Sequence, residues 1–194
     1  MGEIRDKNKF TTKTLLEIIP AKKRWEMTAE LLTVLNVSMG VKTRVCLGIG
    51  EGIIAPIMGW ETYLEIHTKM WLEDGRRYLP WVKETFNIPV EDALGVANLC
   101  MVVAWFNSGP EQKFELVETT PERVVLRTIW CTWWESIKKV YPIVDPELVM
   151  CPYSCKAHFE AGLKAINPKI IYHHIKAMPL GDPYCEEVYE FKEE

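Results

Sequence analysis

The spacing of hydrophobic positions changes near residue 107. Before it, apolar residues recur at three- and four-residue steps; after it, they alternate. Trp25, Thr28, Leu32, Leu35 and Met39 make one stripe, the pattern of an amphipathic helix, and Pro20 suits its first turn. Trp60, Tyr63, Leu64, His67 and Trp71 make a second over 56–73. Asp74-Gly-Arg-Arg then reads as a turn and 79–86 as a short helix. Pro89 and Asp92 open a strongly apolar helix over 93–105, in which Ala97 and Cys100 are small enough for close helix contact.

Beyond Asn107-Ser-Gly-Pro the period is two. Residues 113–118 and 123–134 read as strands joined by a Thr-Thr-Pro-Glu turn. Strict alternation puts Val124, Leu126, Thr128, Trp130, Thr132 and Trp134 on one face. Residues 154–165 fit a helix with Ser154 as its cap and Phe159, Leu163 and Ile166 as its apolar stripe. Two further strands, 169–178 and 184–191, flank Pro179-Leu-Gly-Asp-Pro. The predicted fold is therefore α+β: an N-terminal helical part (1–106), then a part (107–194) with an antiparallel four-stranded sheet and a helix between the two strand pairs, together one compact unit.

Composition narrows the function classes. A chain of 194 residues can bury a sizeable core, and 48% hydrophobic with 26% charged residues is ordinary for a globular protein. The net charge of −4 lacks the basic footprint of a nucleic-acid binder. The longest apolar run, 94–106, is too short to span a bilayer. Residues 1–13 are polar, with no leader-like apolar run, so the expected location is cytoplasmic. The six cysteines are then expected as reduced thiols: core residues, ligands or nucleophiles. Eight tryptophans fit a packed core or an aromatic-lined pocket, with Trp60, His67, Trp130 and Trp134 as candidate lining. A small-molecule ligand is the expected partner, and the apolar helices offer a face for a homodimer.

Two segments carry candidate chemistry. Cys46-Leu-Gly-Ile-Gly-Glu-Gly52 has three glycines but neither the lysine of a phosphate loop nor the spacing of a dinucleotide fingerprint, so it reads as a tight turn, with Glu51 able to approach a ligand. The second is Cys151-Pro-Tyr-Ser-Cys155-Lys-Ala-His158 together with Gly181-Asp-Pro-Tyr-Cys185. Cys155 and His158 lie three residues apart on one helix face. Cys151, Cys155, His158 and Cys185 fit a zinc or iron ligand set in residue type, though not in zinc-finger spacing. Cys151 or Cys155 near a helix N-terminus, with His158 as base, equally fits nucleophilic catalysis. Plain buried thiols are the third reading. In a simple hairpin Met178 faces Tyr184, Ala177 faces Cys185 and His173 faces Tyr189, which puts His173 and Cys185 on one sheet face but roughly 13 Å apart. His174 then points to the other face.

At these residues the sequence resembles the L-2-amino-thiazoline-4-carboxylic acid hydrolase-like family, and is more distantly similar to the 4-vinyl reductase domains. The matching pieces are Cys151-Pro-Tyr, the helix through His158 and Gly162, and Gly181-Asp182-Pro-Tyr-Cys185-Glu. The resemblance implies an α+β fold with a ligand pocket between helices and sheet. The hydrolase name implies opening of a cyclic C–N bond by water. The 4-vinyl reductase relation implies instead a hydrophobic small ligand, bound with or without a cysteine- and histidine-held metal.

Overall fold

The structure, a computed structural model, describes residues 9–10, 54–108, 112–135 and 151–191. The expected stripe from Trp25 to Met39 and the glycine segment with Glu51 lie outside them. In chain order the elements are β1 (Lys9–Phe10), α1 (Ala55–Met58), α2 (Trp60–Phe86), α3 (Ala93–Ser108), β2 (Lys113–Thr119), β3 (Arg123–Trp130), α4 (Cys151–Ile166), β4 (Ile170–Lys176) and β5 (Cys185–Phe191). The strands form one antiparallel sheet in the order β1-β2-β3-β5-β4. The fold is α+β, as the change of period indicates; the short β1 adds an edge strand to the expected four.

Helix α2 is longer than its pattern suggests. It runs 27 residues through both Asp74-Gly-Arg-Arg and Pro80. Pro80 removes only one backbone donor, and Gly75 is a contact rather than a turn. A Cβ on Gly75 would overlap the backbone carbonyl of His158 in α4. Opposite it, a Cβ on Gly162 would come within 2.6 Å of the Gly75 carbonyl oxygen. The two helices therefore cross backbone to backbone at a pair of glycines, which fixes what their neighbouring side chains can reach. The left-handed Asn87 (φ 51°) ends α2, and Asp92 Oδ1 accepts the Gly95 N–H at 2.7 Å at the start of α3.

Helix α3 is apolar on nearly all sides and buried: Val96, Ala97, Leu99, Met101, Val102, Val103 and Phe106 are fully enclosed. It packs on the inner face of the sheet through β2, β3 and β5, while α4 packs on β4 and on α2. The inner face carries Phe114, Val124, Leu126, Tyr172 and Tyr189. On the opposite face Arg123 pairs with Glu118 and Glu190, and Arg127 with Glu186.

Three bulges set which side chains face inward. Val117, Ile129 and Ile175 each stand as an extra residue in the ladder. Ile129 ends the alternation expected along β3: Thr128 pairs with Phe114, but Trp130 pairs with Lys113 and turns outward. Ile175 resets the last hairpin. Tyr172 pairs with Tyr189, His173 with Val188 and His174 with Glu187. The simple register with His173 opposite Tyr189 is thus corrected by one residue, and that slip exchanges faces. His173 is exposed, and His174 shares the inner face with Glu187 and Cys185. The loop between these strands is a turn: Asp182 Oδ2 accepts the Ala177 N–H at 2.9 Å, and Gly181 (φ 97°) supplies the left-handed residue.

Candidate functional site

Between α2, α3, α4 and the inner sheet face lies a cavity of about 90 Å³. A buried water needs roughly 10–15 Å³ of such space, so the cavity has room for several waters or one small ligand. Most of its wall is apolar, contributed by Trp71, Phe114, Leu126, Trp133, Phe159 and Pro179 among others. The cysteines Cys100, Cys131, Cys155 and Cys185 also line it, all as free thiols. A run of touching rings leads around it from helix to sheet: Tyr63, His67, Trp71, His158, Phe159, Tyr172 and Tyr189.

Three histidines line this wall, and the partners of His67 set its tautomer. Trp71 Nε1 donates to His67 Nε2 at 3.0 Å. His67 Nε2 is therefore an acceptor, and Nδ1 carries the proton that it donates to Ser154 Oγ at 2.9 Å. Burial lowers the His67 pKa from 6.5 to about 4, which keeps the ring neutral. Ser154 sits inside α4 rather than capping it. Its oxygen accepts from His67, so His67 cannot act as the base that would activate it, and the Ser154 hydroxyl proton is not used in this contact. His158, almost wholly buried, has Nδ1 3.1 Å from Asp74 Oδ2 and Nε2 3.4 Å from Asn107 Nδ2. The Asp74 carboxylate is thus an electrostatic partner of the His158 ring.

The sheet contributes a carboxylate. Glu187 is 8% exposed and lines the cavity. Tyr172 Oη donates to its Oε1 at 3.2 Å and Tyr189 Oη to its Oε2 at 2.6 Å. Burial pushes both tyrosines well above their usual range, with the Glu187 charge adding to the shift, so both remain O–H donors. Burial likewise raises the thiols of Cys100, Cys131 (to about 11) and Cys185.

The structure gathers some of the residues singled out in the sequence and separates others. Cys155, His158, Cys185 and His67 all line the cavity. Trp60 does not; it packs with Ala55, Tyr63 and Leu64 near the start of α2. Trp130 is 40% exposed with Lys113 over its ring, because of the Ile129 bulge, and Trp134 is not among the lining residues, though its backbone N–H lies 3.5 Å from Cys131 Sγ. Their place is taken by Trp71 and Trp133. The Cys151 side chain lies outside the described residues. A metal at Cys155, His158 and Cys185 needs converging donors, and among the described residues no three His, Cys, Asp or Glu side chains converge in that way. Glu187 went unnoticed in the sequence, and His174 was expected on the other sheet face. The available signal was a carboxylate at the middle of the alternating inward positions Cys185, Glu187 and Tyr189.

Comparison with known proteins leaves the family open: no protein-family model matches the chain, and no curated protein matches it. Among solved structures, the chain is similar to the phenol-responsive sensory domain of the transcription activator PoxR, crystallised with phenol. The TM-score is 0.45 at 10% identity, over 81% of this chain and 74% of that one. No helix among the described residues is long and apolar enough to cross a membrane.

Proposed function

We propose that this chain is a binding or sensor module for a small, largely apolar ligand held in the cavity between helices and sheet. The observation that carries this reading is a ring-lined cavity set against the buried core, with a few polar groups converging on it. Interiors pack to crystal density and leave few voids larger than water, and an apolar pocket with a handful of placed polar groups is the usual form of a ligand site.

The hydrolase reading has less support. Thiol attack needs a thiolate, and burial holds the thiols of Cys100, Cys131 and Cys185 toward the protonated form. His158 is held by Asp74 and Asn107.

Trp71 and Trp133 make the test direct, since both line the cavity. Titration with one- and two-ring compounds should change tryptophan emission saturably, and Trp133→Phe should reduce that change. Emission indifferent to every such compound up to millimolar concentration would sink the proposal.

A further inference from the structure

We infer that the cavity selects a ring compound bearing a cationic or N–H-rich nitrogen group, an amine or amidine, with that group at Glu187 and His174. The inference rests on the cavity being a binding site and adds the chemical class of its ligand. The first observation is charge. Among the described lining residues Glu187 is the only carboxylate, and none is a lysine or arginine. A buried carboxylate is costly unless its oxygens are satisfied. Each Glu187 oxygen takes one tyrosine hydroxyl, while a carboxylate offers about four acceptor sites in all. One acceptor site per oxygen is therefore left for a ligand.

The second observation is independent. His174 stands directly across from Glu187 in the β4–β5 ladder and also lines the cavity. Its Nε2 is buried and has no hydrogen-bond partner among the described residues. Buried polar atoms are rarely left so. A nitrogen group seated between the two would give N–H donors to the Glu187 oxygens and a partner to His174. The aromatic wall suits the ring body and adds cation–π attraction. An anionic ligand meets the opposite environment: the described wall offers it no cation and confronts it with Glu187. That excludes a carboxylate of the kind the thiazoline-hydrolase resemblance implies from the Glu187 end of the cavity.

The test uses three probes of nearly equal shape on the full chain: benzamidine, benzamide and benzoate, titrated calorimetrically or by ligand-observed NMR. Hydrogen bonds to charged groups contribute about 1.5–3 kcal/mol, so benzamidine should bind at least about tenfold tighter than benzamide. Benzoate should bind more weakly than either. In Glu187→Gln, which keeps the side-chain shape and one acceptor oxygen, the benzamidine preference should fall to within about threefold of benzamide. Benzoate or benzamide binding as tightly as benzamidine to the unaltered chain overturns the inference and leaves the binding module standing. A preference that survives in folded Glu187→Gln also overturns it. Binding of none of the three, together with tryptophan emission indifferent to all ring compounds, removes both. The comparison on the unaltered chain decides the matter even if the variant fails to fold.

Discussion

At the residue scale, His67 shows how a side chain acquires its role from its partners. The sequence places it on an aromatic helix stripe, where a hydrogen-bonded core histidine is the ordinary expectation. It is that, held by Trp71 and Ser154, and it also faces the cavity. Its burial has a consequence for stability. The folded pKa is about 4 against an ordinary 6.5, so between those values the unfolded chain binds the proton more readily. Stability from this site is full above pH 6.5 and is lost as pH falls toward 4. The urea midpoint should therefore drop between pH 6.5 and 4.5, and the drop should shrink in His67→Gln. Equal pH slopes in the two proteins would show that His67 is not the group responsible. Glu187 was less legible. Its significance depends on which strand face is inward, and on tyrosines that converge only after the sheet has formed.

At the element scale, period and punctuation revealed most of the described fold. Alternation bounded by Pro, Gly and Thr marked β2, β3, β4 and β5, and Asn167-Pro ended α4, all within about two residues except at the end of β3 and the start of α4. Local signals failed where tertiary contact overrides them. Gly75 looks like a turn residue, but it is a point of helix contact that only α4 reveals. Likewise, no pattern in the sequence announces an extra residue in a ladder, so the bulges at Ile129 and Ile175 reassigned Trp130 and exchanged His173 for His174. Gly75→Ala separates the two readings. In an exposed helix the change would stabilise by about 1 kcal/mol. Here the new methyl overlaps the His158 backbone carbonyl, and overpacking typically costs about 1–3 kcal/mol. Denaturant unfolding should show net destabilisation; a gain in stability would mean that α2 and α4 do not cross there.

For the whole molecule, the cavity follows from how the layers meet. Helix α3 fills the sheet's inner face at one end, α4 covers β4, and the glycine crossing draws α2 close enough for His67 and Trp71 to complete the wall. No single element encloses the space, which is why the sequence could announce a cysteine- and histidine-rich region but not its cavity. The same arrangement offers a way to remove the cavity without touching its polar groups. Ala104 of α3 lines it with a single methyl, so Ala104→Phe should fill it with ring carbons. The most direct measurement is the shift in melting temperature that benzamidine and other one-ring compounds produce in the unaltered protein and in this variant. The expected result is a concentration-dependent rise in the unaltered protein and none in Ala104→Phe, whose ligand-free melting temperature stays the same or rises. A variant that is folded and still stabilised by the same compounds would place ligand binding elsewhere and contradict a cavity-bound ligand.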